Sequence, residues 1–232
     1  MELKVLAQAT LQWTYTHVYQ PIKCALFPCA VRYVPPGVRV LLSYRERRTL
    51  YRYARRATDG TLVEIGCYSG GSTYFLCSGA RAGRARVVAI DPFEDSLNEQ
   101  QRLEDPAFVS TGAVCAAYYA TKPRRRDVEA FLRSQGFDNF ELVKGFSFDA
   151  ARQWHGPITL LFIDGNHEYA AVRRDFEEWS PFVEPGGYLL FHDSTSASLW
   201  EGPKRLAAEI AGRSGWQMVE AVDTLTVFRK PL

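Results

Sequence analysis

The absences in this sequence narrow its function first. Its 232 residues carry 28 basic and 26 acidic side chains, a formal net charge of +2. So small an imbalance creates no global field that would draw the chain to nucleic acid. The five cysteines show no paired or metal-like spacing, which argues against a disulfide framework or a zinc site. Reduced thiols and a cytoplasmic location are the expectation. No apolar run approaches the ~20 residues of a membrane span, and the N-terminus lacks the short apolar core of a secretion signal. Two oxidoreductase fingerprints are also missing. No G-x-G-x-x-G is present, and no Tyr-x-x-x-Lys pair follows a central strand. A NAD(P)-dependent oxidoreductase is therefore the weaker alternative.

The remaining composition, 47% hydrophobic and 23% charged, is that of a globular chain with a real core. Its length fits one α/β domain with an elaboration. The chain is organised around Thr61 to Thr73, TLVEIGCYSGGST. Leu62 to Ile65 reads as a short buried strand entering a turn with Gly66, Gly70 and Gly71, after which a helix opens. Glycine serves where backbone takes positive φ or comes close to a ligand. Ser69, Ser72 and Thr73, with the free amides of a helix start, suit a polar or anionic group. Glu64 disfavours phosphate there and would instead accept bonds from an ammonium or from hydroxyls. A second strand, Arg86 to Ile90, ends at Asp91, about 20 residues past the last glycine, the spacing at which Rossmann-type folds hold ribose hydroxyls. A nucleoside-bearing cofactor follows.

Residues 1–42 read as an arm. Val5, Leu6, Leu11, Trp13, Tyr15 and Val18 give its first part the pattern of a helix that packs on the domain or on a second subunit, which favours a homodimer. Pro21, Pro28, Pro35 and Pro36 then make it irregular, as a substrate wall or a docking segment. Residues 43–232 form the cofactor domain. Ser43 and Glu46 match a capping box that starts a helix. Its arginines, interleaved with Tyr44, Tyr51 and Tyr53, read as a solvated face; a nucleic-acid-binding module is the third alternative. The polar stretch 94–122 is long enough to be a lid over the substrate.

Further along, Phe140 to Val143, Ile158 to Ile163 and Gly187 to Phe191 read as strands, with Pro185-Gly186-Gly187 as a turn. Helices are expected over Val128 to Ser134, Glu168 to Trp179 and, beginning at Pro203, to Ala211. Trp216 to Val222 and Thr224 to Phe228 form a closing hairpin around Asp223. Alternating strands and helices give an α/β fold with a mostly parallel sheet. Ligands of such sheets bind beyond the carboxyl ends of the strands. Here those ends carry Gly66, Asp91, Gly145, Asp164 and His192-Asp193. Ser147, just past the third strand, is placed to face an adenine edge.

The order strand, E-x-G-x-x-x-G-G, helix, strand, Asp resembles class I S-adenosylmethionine-dependent methyltransferases. Ile163 to Ser194, IDGNHEYAAVRRDFEEWSPFVEPGGYLLFHDS, together with EIGCYSGGST and VVAIDPF, is similar to the small-molecule enzymes grouped with macrocin O-methyltransferase and cephalosporin-hydroxylase-like proteins. Catechol O-methyltransferase is a more distant likeness. The resemblance implies a Rossmann-like, seven-stranded sheet, mostly parallel, with helices on both faces and a reversed last strand. It also implies S-adenosyl-L-methionine as methyl donor, a small-molecule hydroxyl as acceptor (a sugar, phenol or natural product), and often a divalent cation, Mg, Mn or Zn.

Carried onto this chain, the cofactor contacts are Glu64, Gly66, Tyr68, Ser69, Gly70, Ser72, Asp91, Ser147 and Asp164. In metal-using relatives an Asp after the fourth strand and an acidic pair after the fifth hold the ion. Here these positions read Asp164 and His192-Asp193, and the departure matters, because imidazole suits softer ions than magnesium. His192 is thus open to three readings: metal ligand, general base, or a histidine bonded to nearby backbone. His167 is the second base candidate. Asp164, His167, His192 and Asp193 are expected to surround the acceptor hydroxyl.

Overall fold

Short apolar runs such as Leu62–Ile65 and Ile158–Ile163 become strands here because both of their faces are covered, so alternate side chains feed two separate cores. A computed structural model describes residues 34–35, 38–93, 123–212 and 215–232. The apolar N-terminal helix expected at residues 1–19, its dimer contact and the lid expected at 94–122 lie outside them. Strands run β1 Thr61–Ile65, β2 Arg86–Asp91, β3 Phe140–Lys144, β4 Ile158–Ile163, β5 Val183–Phe191, β6 Gln217–Val222 and β7 Leu225–Arg229. They form one seven-stranded sheet in the order β3-β2-β1-β4-β5-β7-β6. Strands β1 to β5 pair in parallel, whereas β7 runs antiparallel to both β5 and β6. The last strand in the chain is the reversed one.

Six helices are described: α1 Tyr44–Arg56, α2 Gly71–Ala80, α3 Arg125–Ser134, α4 Ser147–Arg152, α5 Tyr169–Trp179 and α6 Glu201–Ala211. Helices α1, α2 and α3 share a core with Leu62, Val87, Ala89, Leu160 and Phe162. Helices α4, α5 and α6 share the opposite one with Val63, Val88, Ile90, Leu161 and Ile163. Adjacent strand residues thus point to opposite layers, and each fully buried Leu, Val or Phe contributes about 1.5–3 kcal/mol. The capping box is present: Ser43 Oγ accepts the Glu46 amide, and the Glu46 carboxylate accepts the Ser43 amide.

Two sequence expectations shift. Pro185-Gly186-Gly187 is not a turn before β5 but lies inside it. The register jumps from Ile158 opposite Val183 to Leu160 opposite Tyr188, so the turn-forming residues are absorbed as an irregularity. Pro203 is the third residue of α6 rather than its first, a position whose N–H has no intrahelical acceptor in any case. The order of β1, β2 and β3 runs one way from the centre and that of β4 and β5 the other. This reversal between β1 and β4 opens the crevice where α/β sheets bind ligands.

Candidate active site

The glycine loop is held to both neighbouring strands. The Gly66 amide donates to Ile90 O and the Asp164 amide to Ile65 O, each at 2.9 Å. Gly66 has φ +87, and a Cβ there would stand 2.2 Å from the Asp164 carbonyl oxygen. Only glycine lets the ends of β1 and β4 meet this closely. Asp91, 3% exposed, accepts the amides of Tyr68 at 2.9 Å and Phe93 at 2.8 Å. Ser69 Oγ donates to Arg39 O at 2.8 Å, tying the loop to the segment ahead of α1.

Two residues expected to touch the cofactor, Glu64 and Ser72, are buried. Glu64 is fully buried and accepts from Thr73 Oγ1 at 2.6 Å. Burial pushes its carboxyl up to about 8, against lowering by Ser72 and Thr73. Ser72 is likewise buried. Ser147 opens α4, and its hydroxyl donates to Asp175, whose own carboxyl burial raises to about 7.

Across the crevice, four side chains from the ends of β4 and β5 do come together. His192 Nδ1 lies 2.9 Å from Asp164 Oδ1 and 3.4 Å from Asp193 Oδ2. Its Nε2 lies 3.2 Å from Thr224 Oγ1 and 3.6 Å from Glu46 Oε2. Burial alone would lower the His192 pKa, but the carboxylates of Asp164, Asp193 and Glu46 raise it well above the usual imidazole range. Both ring nitrogens are therefore taken, and the side chain is only 7% exposed. Its ring neighbours are side chains rather than backbone groups.

His167 has the opposite character. Its Nε2 is 2.9 Å from Asp193 Oδ2, its side chain is 23% exposed, and no hydrogen bond reaches Nδ1 among the described residues. Burial would raise the Asp193 carboxyl, but bonds from His167 and His192 hold it far below the usual carboxylate range. One strained backbone feature marks the whole rim. Tyr68, Phe93, Asp193 and Asp223 all have positive φ without being glycine, and all lie just past the ends of β1, β2, β5 and β6. Such residues persist where the surroundings over-determine them, as at ligand sites.

A family model described as a methyltransferase domain matches residues 63–194, more than half of the chain, with the glycine loop, Asp91, Asp164, His167, His192 and Asp193 inside it. The chain belongs to this methyltransferase family. Among solved structures, the O-methyltransferase NovP is similar with a TM-score of 0.67 and 14% identity, covering 88% of this chain and 86% of that one. The O-methyltransferase TomG from Streptomyces achromogenes gives 0.56 and 16%, over 85% and 84%. An O-methyltransferase from Bacillus cereus gives 0.55 and 18%, over 94% and 99%. These likenesses show the fold. By sequence, an uncharacterised protein of Acanthamoeba polyphaga mimivirus is 26% identical over 140 residues, 58% of this chain and 52% of that protein. A second, from Sinorhizobium fredii, is 24% identical over 185 residues, 78% of this chain and 17% of that protein. The chain thus spans about half the length of the first and a small part of the second.

Within this methyltransferase frame, sequence reasoning missed Thr224, Ser198 and Trp200 as neighbours of the rim, and saw Glu46 only as a helix cap. Glu46 carried a local signal, its capping box, but its second role depends on a turn 178 residues away. Trp200 carried none.

Proposed function

We propose that this chain is an S-adenosyl-L-methionine-dependent methyltransferase that modifies a hydroxyl on a small molecule, such as a sugar, a phenol or another natural product. The observation that carries the reading is the pairing of His167 Nε2 with Asp193, which leaves Nδ1 without a hydrogen bond among the described residues. The structural neighbours favour the same chemistry, among them an O-methyltransferase involved in tomaymycin synthesis in complex with SAM.

The residues fit the donor. Gly66, Tyr68, Ser69 and Gly70 form a loop with glycine where the backbone is tightest, and Asp91 stands at the end of β2, where α/β sheets hold ribose hydroxyls. When bound, the donor supplies a methyl group activated by a sulfonium. A bound donor would give that methyl to the acceptor oxygen, its sulfur keeping the electron pair of the C–S bond. The hydroxyl proton passes to His167 Nδ1. Asp193 orients the imidazole with Nε2 protonated and balances the charge that arises. Asp164 lies against the glycine loop, so donor and acceptor sites share a wall, and alignment of this kind removes much of the entropic barrier.

Metal assistance is favoured by one observation. Asp164, His167 and Asp193 each offer an atom within 4.8 Å of the others, a group close enough to hold a divalent ion. Two carboxylates and an imidazole suit manganese or zinc better than magnesium. A cation held there would lower the acceptor hydroxyl's pKa. Calorimetry with S-adenosylhomocysteine, then transfer of labelled methyl to a panel of phenols and sugars with EDTA or Mn²⁺, tests the proposal. Binding near micromolar and label on an acceptor oxygen are expected. Silence with the donor and its product, alongside tight binding of NADH, would sink it.

A further inference from the structure

The segment after β5 folds back onto the candidate base. Ser198 Oγ donates to Asp193 Oδ1 at 3.0 Å, and the Trp200 amide donates to Ser198 Oγ at 3.1 Å. The Trp200 ring then stacks on His167, with centroids 4.7 Å apart and planes 28° apart. His167 Nε2 returns to Asp193 Oδ2 at 2.9 Å. These four contacts close a ring through Asp193, Ser198, Trp200 and His167. The start of α6 tightens it: a Cβ on Gly202 would stand 2.2 Å from His167 O and 2.7 Å from the Tyr169 amide nitrogen. The helix that carries Trp200 at its N-cap is therefore pressed onto the backbone that carries the base.

A single bond at Nε2 leaves an imidazole free to swing about that bond, which would sweep Nδ1 across the crevice. Two further restraints remove this freedom. Ser198 holds the second oxygen of Asp193, which fixes the carboxylate plane; the indole face fixes the imidazole plane. We propose that Ser198 and Trp200 are positioning residues that set the direction of His167 Nδ1, a step that rests on the reading of His167 as the base. Neither residue gives or takes the proton. Their effect is on alignment, where a displacement of about 1 Å costs on the order of 100-fold in rate.

Trp200→Ala, Trp200→Phe, Ser198→Ala and, as a control, His167→Ala test this in the full-length chain. Proton–carbon NMR reads the His167 ring protons, which the Trp200 ring current shifts in the wild type. That shift is expected to vanish in Trp200→Ala and to persist in part in Trp200→Phe. Turnover should fall about 10- to 100-fold in Trp200→Ala and recover most of the loss in Trp200→Phe. Ser198→Ala should give a smaller fall, with the S-adenosylhomocysteine affinity of all three unchanged. An unmoved ring signal in Trp200→Ala overturns the proposal whether or not an acceptor has been found. So does full turnover in that variant, or a Phe variant as poor as the Ala one. Full turnover in His167→Ala with the ring shift intact in the wild type overturns the base assignment instead, so the two failures are distinguishable. Should Trp200→Ala not fold, the ring shift and turnover of Trp200→Phe and Ser198→Ala decide between the same outcomes.

Discussion

Glu46 accepts the Thr224 amide at 2.8 Å and the Thr224 hydroxyl at 2.7 Å, joining the first turn of α1 to the β6–β7 turn. The same carboxylate caps its own helix through Ser43 and faces the buried His192. Burial raises its pKa, but His192, Thr224 and Ser43 outweigh that and lower it to about 2. Glu46→Ala should destabilise the fold by about 1–3 kcal/mol, because it leaves the part-buried Thr224 amide and hydroxyl without their acceptor and removes one of the carboxylates facing His192. Urea denaturation at pH 7 measures it. The sign with pH follows from the depressed value: the contribution is present above pH 4.5 and is lost as pH falls through about 2. The stability gap between wild type and Glu46→Gln should therefore close in acid.

At the glycine loop the expected loss is steric. Gly66→Ala places a methyl 2.2 Å from Asp164 O and 2.8 Å from Gly165 Cα, at a φ of +87. Neither neighbour is a flexible side chain that can swing away, so β1 and β4 must part. A cost of about 3 kcal/mol or more follows from strain and overpacking together. Thermal unfolding reads the stability, and calorimetry should show that S-adenosylhomocysteine affinity falls with it. An Ala variant as stable as wild type would mean that the two strand ends are not this close.

The glycine loop was legible because its requirements are local. Gly66, Gly70 and Asp91 announce a strand, a turn and an acid at fixed separations, and the strand ends follow from where apolar runs stop. The runs Ile158–Ile163 and Leu62–Ile65 marked the sheet's centre for the same reason. What sequence could not supply was the company kept by each rim residue. His167 and His192 both follow apolar strands and look equivalent in the chain. Only the approach of Glu46 and Thr224 from distant elements buries one and leaves the other available. Pro185-Gly186-Gly187 misled for a related reason, since β5 pairs with β4 on either side of it and carries it as an irregularity inside the strand.

Asp193→Asn separates charge from shape at the base. The amide is nearly isosteric, but it can present its N–H to His167 Nε2 and so favour the tautomer that places the proton on Nδ1, where the base must be unprotonated. Turnover is expected to fall by about 10²- to 10⁴-fold. Donor-product affinity should hold within a few-fold, because Asp193 lies across the crevice from the loop of Gly66. Single-turnover methyl transfer combined with calorimetry makes the comparison. Loss of both together would instead assign Asp193 to donor binding.

Glu64 predicts a slope in stability that no rim residue is needed to explain. Burial raises its pKa from 4.5 to about 8, with the nearby charges of Asp164 and Asp91 adding to the rise. Its Oε1 has no hydrogen-bond partner among the described residues, so ionisation would leave a bare charge in the core. The folded state holds this proton more tightly than the unfolded chain does. Its contribution is thus fully present below pH 4.5 and is lost as pH rises through about 8, a loss on the order of a few kcal/mol. Melting temperatures of wild type should therefore fall from about pH 5 to about pH 8.5 more steeply than those of Glu64→Gln, which has no proton to release. Part of the slope left in the variant belongs to Asp175, raised from 3.8 to about 7 by the same burial, and part to His192, raised by its carboxylate neighbours. Adding Asp175→Asn should flatten it further, whereas parallel curves for wild type and Glu64→Gln would place a counter-charge beside Glu64 that the fold as described does not contain.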